Sequence, residues 1–242
     1  MCTSDDECPL CHLQVLSELP PPGGTLMSIC AVRQLTYGAT IGAIMHEFAT
    51  TEQAACLRPT YLATGIVNSD AMATTLATAG NYGSFSSFQI GRNVNGKGSS
   101  VPFLKRGYLS VNLNNIIDPT ALPVRAVLKI YVESMVNDSG IPPPRLVINR
   151  TSAFDEGTLT WANAPLPESQ IEVQWTATAT GWASINVTTL MQRCWGQDGG
   201  VCFWVMSGVN EVDNNNSLIS VRSKEYSPSG FSPYLEVEYA DN

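Results

Sequence analysis

From residue 60 onward the sequence breaks into short apolar-alternating segments bounded by glycine, proline, asparagine and serine. Successive side chains of a strand point to opposite faces, so a period of two marks a half-buried strand. The clearest instance sets Ala126, Leu128, Ile130 and Val132 against Val127, Lys129, Tyr131 and Glu133. Strands are predicted at 61–67, 85–91, 107–113, 125–135, 145–149, 159–161, 171–176, 182–187, 201–207, 218–223 and 234–239. Only 188–194 reads as helical in this part. Many short strands without a long helix must bury one face of each sheet against another sheet. The expected fold is all-β, a two-sheet antiparallel jelly-roll sandwich, with an extended N-terminal arm before it.

Composition agrees. Charged residues are 14% of the chain, against roughly 25% in an ordinary soluble domain. A helical protein needs Glu, Lys and Arg on its exposed faces, whereas β-rich secreted domains manage with neutral polar surfaces. Net charge is −8, and the 13 basic residues are scattered without a cluster, which excludes nucleic acid as a main partner. No apolar run approaches the ~20 residues of a membrane span; the best, 39–45, is interrupted by glycine. The opening MCTSDDECPLCHLQV has neither a basic n-region nor an apolar h-region, so the chain reads as mature or trimmed.

Seven cysteines stand at Cys2, Cys8, Cys11, Cys30, Cys56, Cys194 and Cys202. Cys194 and Cys202 flank the turn-rich residues 195–200, which read as a loop stapled by a disulfide. The odd number leaves one thiol free or shared between chains. N-glycosylation sequons begin at Asn137, Asn149, Asn186 and Asn215. Together these predict a secreted, extracellular or cell-surface glycoprotein carrying covalent N-glycans. Asn186, just before an expected helix cap at Thr188, is the sequon expected to be most enclosed.

The chain divides at Pro59. Residues 1–24 are a Cys-rich tail ending in a Pro/Gly hinge, 25–59 an extended arm plus short helix, and 60–242 the sandwich. Over 25–45 the odd positions are mostly apolar and the even ones mostly polar or small. That length exceeds an ordinary strand of roughly 5–6 residues, so the arm is one long extended segment or two strands joined near Gly38. Thr50-Thr-Glu-Gln53 has the capping-box pattern and opens a helix to about residue 57, which Cys30 and Cys56 would tie back to the arm.

Several motifs in 60–242 match a known module in order. They are Asn81-Tyr-Gly-Ser84, Phe88-Gln-Ile-Gly91, Arg106-Gly-Tyr-Leu109 and Ala126-Val-Leu-Lys-Ile-Tyr131, followed by Glu156-Gly-Thr-Leu-Thr-Trp-Ala-Asn-Ala-Pro165. Gly181-Trp182, Asn186-Val-Thr188, Ser223-Lys-Glu225 and Pro233-Tyr-Leu-Glu-Val-Glu-Tyr239 complete the series. In these the chain resembles the DNRLRE domain family, although it reads Ser-Lys-Glu where Ser-Arg-Glu is usual and lacks the family's arginine-rich stretch. The resemblance implies a secreted β jelly roll, often joined to other modules of surface proteins or polysaccharide-degrading enzymes. Some relatives bind acidic polysaccharides such as alginate, a ligand that the net charge of −8 disfavours here.

Candidate chemistry is thin. Gly91-Arg-Asn-Val-Asn-Gly-Lys97 imitates the front of a phosphate-cradling loop, but Gly98 replaces the Ser or Thr that Mg²⁺ requires, so a hairpin loop is the reading. Cys8-Pro-Leu-Cys11-His12 is the attachment spacing for c-type haem, with two thioethers and an axial histidine. A cysteine-dense tail yields that spacing without haem, through a disulfide or interchain knot. Zinc at Cys2, Cys8, Cys11 and His12 is too compressed for paired knuckles, and no metal is assigned. Both histidines, His12 and His46, precede the sandwich, so a catalytic triad there has no base. Asp155 and Glu156 read as solvated surface, and residues 210–216 as a polar loop rather than a calcium loop. No catalytic residue is assigned. Of the five tryptophans, Trp161, Trp175, Trp182, Trp195 and Trp204, most should plug the core; Trp195 is expected to be exposed.

The arm carries the leading functional expectation. Left in water, its apolar face is an aggregation hazard, so it folds back on its own domain or enters a neighbouring copy. Five or six buried side chains stabilise by on the order of 10 kcal/mol, while ordering about ten residues costs roughly 10–20 kcal/mol. A durable joint would therefore need ladder hydrogen bonds on both edges or a covalent tail link. Heterologous insertion propagates into a filament. The first expectation is thus a non-enzymatic extracellular structural protein, a homopolymer joined through Ile29, Leu35, Tyr37, Ile41 and Met45. The alternatives are a secreted carbohydrate-binding module taking a polysaccharide, and a haem electron carrier.

Overall fold

The computed structural model describes residues 60–240, apart from 94–102, 115, 119, 169–171, 199, 210, 212–215 and 229. The expectations for Cys2, Cys8, Cys11, His12, Cys30, Cys56, Ile29, Leu35, Tyr37, Ile41, Met45 and Asn215 lie outside the described residues. Ten strands follow one another: β1 (Thr60–Thr74), β2 (Ser87–Asn93), β3 (Phe103–Asn112), β4 (Leu122–Asn137) and β5 (Arg145–Arg150) come first. Then come β6 (Glu172–Thr176), β7 (Gly181–Asn186), β8 (Val201–Gly208), β9 (Ser217–Arg222) and β10 (Tyr234–Ala240), with a helix α1 (Thr188–Asp198) between β7 and β8. No helix among the described residues is long and apolar enough to cross a membrane.

The strands form a β-sandwich, as the alternation predicts. One sheet runs β1-β3-β8-β5-β6, with antiparallel pairing throughout. In the other, β4 pairs β7 along one edge, and β10 and then β9 along its other edge, with β2 beyond β9. The sheets are continuous at their corners. β1 links them by pairing both β3 and β10, while within the second sheet β4 changes partner from β10 to β9; each carries a register shift, at Val67/Ser69 and Val132/Ser134. An extra residue at such a shift bends and twists the strand, which lets it pass from one neighbour to the next. β2 turns its corner at Gly91, which faces Leu218 of β9 on one side and Lys105 of β3 on the other.

Between the sheets lie the inward residues of each alternating run. Phe88 and Ile90, Leu109 and Val111, Leu128, Ile130 and Val132, Ile148, Trp204 and Met206, Ile219 and Val221, and Leu235 and Val237 are all buried there. Helix α1 adds Leu190, Met191, Cys194 and Trp195 to this core. Asn186 caps it: its Oδ1 accepts from Thr188 N at 3.0 Å and from Thr188 Oγ1 at 2.7 Å.

Two local expectations are corrected. Residues 195–198 continue the helix rather than forming a loop, and Trp195 is buried, at 8% exposure, not exposed. Its indole Nε1 donates to Ala121 O at 2.8 Å. Burying a whole indole with its one donor satisfied outweighs the weak helix preference of Gly196 and Asp198. Residues 159–161 are not a strand. Leu159 N bonds to Asp155 O, Asn81 Nδ2 takes Leu159 O, and Asn163 takes Thr158 O and Thr160 N, so the segment's backbone groups are spent on turns.

Cys194 and Cys202 are joined, with Cα atoms 5.4 Å apart and a sequence separation of 8. Closing so short a loop in the unfolded chain stabilises by about 2.5 kcal/mol. Replacing both cysteines by alanine is therefore expected to lower unfolding stability by that amount in a urea titration. A change below half of it would show that the helix-to-β8 connection is held by packing alone.

Candidate functional site

A sandwich offers its two outer faces and the loops at its ends to a ligand. Here the outer faces differ. On the sheet containing β3 and β8, residues 151–168 lie across the surface and build a second apolar cluster of Ala71, Ala73, Tyr108, Leu159 and Val205 with Phe154, Trp161 and Ala164. Tyr108 is fully buried there; burial pushes its phenol above the usual range, and its hydroxyl donates to Pro165 O at 3.1 Å. That face is closed.

The other outer face is open and aromatic. Alternation along β4 turns Lys129, Tyr131 and Glu133 outward, and register places Trp182 of β7 beside Tyr131 and Tyr234 of β10 beside Lys129. The turn between β9 and β10 adds Tyr226 and Phe231. Trp182 meets Tyr131 edge-on at 5.6 Å and Tyr234 at 5.4 Å, and lies nearly parallel to Phe231, 19° apart at 6.4 Å. It is 44% exposed, the only tryptophan among the exposed large apolar side chains of the described residues.

Beneath these rings sits Arg222, from the end of β9. Its guanidinium carbon lies 4.3 Å from the Tyr131 ring centre, 3.9 Å from Tyr226 and 4.4 Å from Phe231. Glu133 Oε1 is 3.9 Å from its Nε. A cation held by several ring faces with little water is worth up to about 2 kcal/mol per good contact. It also fixes the rings relative to one another, which lowers the ordering cost of any ligand that packs on them. Arg222→Met keeps the volume and removes the charge; it is expected to lower stability by about 2 kcal/mol, read by thermal and urea unfolding. Polar groups frame the patch: Lys129 Nζ pairs with Glu236 Oε2 at 3.3 Å, and Ser184 lies opposite Lys129 on β7.

An exposed indole supported by other rings and edged by hydrogen-bonding side chains suits a pyranose ring, whose C–H face is apolar and whose rim carries hydroxyls. The sequence profile of carbohydrate-binding module family 96 matches residues 63–239, nearly the whole described fold. The chain belongs to this family. Membership supports the resemblance drawn from the motifs at the level of a carbohydrate-binding module. No curated protein matches the sequence of this family 96 module.

A cleft of about 220 Å³ opens between the ends of β2, β5, β8 and β9, lined by Arg92, Pro142, Pro143, Arg145, Glu211 and Ser217 among others. No aromatic ring among the described residues lines it. Arg145 is engaged by Gln174 Oε1 at 2.7 Å, and Glu211 takes both Arg106 Nε and Nη2. The aromatic face fits sugar better.

Of the sequon asparagines, Asn137 is exposed at the end of β4 with Nδ2 donating to Ile141 O. The expectation that Asn186 is the most enclosed is corrected: Asn186 is exposed, although its oxygen is spent on the α1 cap, and Asn149, within β5, is the half-buried one of the described sequons. Sequence reading expected Trp195 rather than Trp182 to be the exposed tryptophan, and it missed Tyr131, Arg222, Tyr226, Phe231 and Tyr234 as a group. One signal was available: the alternation of β4 already placed Tyr131 on the outward side with Lys129 and Glu133.

Proposed function

We infer that this chain is a non-catalytic, extracellular carbohydrate-binding module that stacks a sugar ring on Trp182. The observation that carries the reading is the open aromatic face of Trp182, Tyr131, Phe231 and Tyr234, held by Arg222, on a fold of a carbohydrate-binding family. The charges there are matched, Lys129 with Glu236 and Arg222 with Glu133, and the chain carries net charge −8. A neutral polysaccharide is therefore the ligand class, not a polyuronate. Affinity electrophoresis through gels containing neutral β-glucans, mannans, xylan or alginate tests this. Retardation by a neutral polymer supports the reading; retardation by alginate alone, or by none, overturns it. Among the described sequons Asn137 is the best placed to carry a glycan, since its side chain is at the surface and outside the aromatic face.

Self-association is a second reading, favoured by one observation. Leu62 and Ile66, four residues apart on β1 and so on the same side, are 73% and 65% exposed. Sedimentation of the chain and of Leu62→Ser/Ile66→Ser tests it. A concentration-dependent rise in mass that the double variant abolishes supports association through β1. A monomer throughout removes it.

A further inference from the structure

Three carboxylates far apart in sequence meet where β1, the 151–168 segment and the turn after β9 converge. Oxygens of Asp70, Glu156 and Glu225 lie within 4.8 Å of one another. Asp70 is 1% exposed. Its Oδ2 accepts from Lys224 N at 2.7 Å, but its Oδ1 is buried with no hydrogen-bond partner, and so is Glu225 Oε2. A buried carboxylate oxygen without a donor is costly, and two at one place leave a cation-shaped deficit.

The remaining oxygens are already held. Glu156 Oε1 accepts from Asp70 N at 3.0 Å, and Lys224 Nζ pairs with Glu156 Oε2 at 3.0 Å and with Glu225 Oε1. Ser223 Oγ donates to Phe85 O at 2.6 Å and accepts from Glu225 N, which pins the turn that presents Glu225. One ammonium against three carboxylates leaves two negative charges uncompensated.

We propose that Asp70, Glu156 and Glu225 bind one calcium ion, through Asp70 Oδ1, Glu225 Oε2 and the Glu156 carboxylate. An all-oxygen, net-dianionic set selects a hard dication. Calcium tolerates an irregular shell completed by water, and Glu156 and Glu225 are partly exposed, which leaves room for those waters and an entry path. Magnesium demands a tighter octahedron than three side chains on separate segments supply. The ion ties β1 to two loops, and the turn that supplies Glu225 continues into Tyr226. The proposal does not rest on the sugar reading.

The test uses the full chain, stripped with chelator and desalted, with no sugar present. Calorimetric titration with calcium chloride is expected to give one site, with a dissociation constant of about 10⁻⁴–10⁻³ M as in other extracellular modules. The thermal midpoint should rise by on the order of 5 °C at 10 mM calcium, with a smaller rise in magnesium at equal ionic strength. Glu225→Gln should lower calcium affinity at least about tenfold, and Asp70→Asn should do the same if it folds. Asp213→Asn, in the Asn-rich segment, should leave binding unchanged. The proposal is overturned if the folded chain shows no calcium-dependent heat or shift at 10 mM, if magnesium matches calcium, if Glu225→Gln binds as the parent does, or if binding follows Asp213.

Discussion

Trp182→Ala is expected to weaken binding of the retarding polysaccharide by about 30-fold, a loss of about 2 kcal/mol typical of an exposed aromatic anchor. Trp182→Phe should keep a ring on Tyr131, Phe231 and Tyr234 and lose only part of that. The fold should survive both, because the indole lies outside the core and the alanine variant loses only its ring contacts with Tyr131, Phe231 and Tyr234, at about 0.5–1.5 kcal/mol. The midpoint should therefore fall by no more than about 2–5 °C. Titration calorimetry beside thermal unfolding separates the two effects. If Trp182→Ala binds as the parent does, the ligand does not sit on this face, and the cleft near Arg92 and Arg145 becomes the place to test.

The second large effect is structural. Gly91→Ala is expected to cost more than about 3 kcal/mol, from backbone strain and steric overlap together. Gly91 has φ +116°, where a side chain is strained, and an added Cβ would stand 2.1 Å from Ser217 O. That oxygen is backbone of β9 and cannot swing aside. Gly91 is also where β2 passes between the two sheets, so pushing β9 away opens the corner. Gly140 is the control: it too has positive φ, +79°, but an added Cβ meets nothing within 4 Å. Gly140→Ala should cost only about 1–2 kcal/mol of backbone strain. Equal losses in urea titrations of the two variants would mean that the close approach at Gly91 contributes nothing.

Legibility in the sequence was uneven for physical reasons. The period of two in 126–133 predicted both the strand and its faces, and the structure buries Leu128, Ile130 and Val132 while turning Lys129, Tyr131 and Glu133 outward. Strand ends were read short: β1 runs to Thr74 because it pairs β3 as far as Lys105, and β3 begins at Phe103 because its first residues pair β2. Leu159 looked like part of a strand from its alternation with Trp161. Its burial is real, but it anchors a covering loop, and alternation cannot distinguish those outcomes. Trp195 looked exposed because glycine and aspartate follow it. The oxygen of Ala121 that receives its indole proton is 74 residues away.

Glu156 shows the same limit at the cluster. Beside Asp155 it reads as one of two surface acids. In the fold Asp155 remains a local turn-former, accepting from Gly157 N and Thr158 Oγ1, while Glu156 is drawn in against Lys224 and Asp70. Alternation is a local property of the chain, and it was enough to determine the class of fold, the inward and outward sides of most strands, and the presence of an unusual number of turns. Neighbourhood is not local. Which strands lie side by side follows from two corner-turning strands and the register they impose. Only that arrangement brings Tyr131, Trp182, Phe231 and Tyr234 onto one face above Arg222, and Asp70, Glu156 and Glu225 to one point, because each of these groups draws its members from segments tens of residues apart.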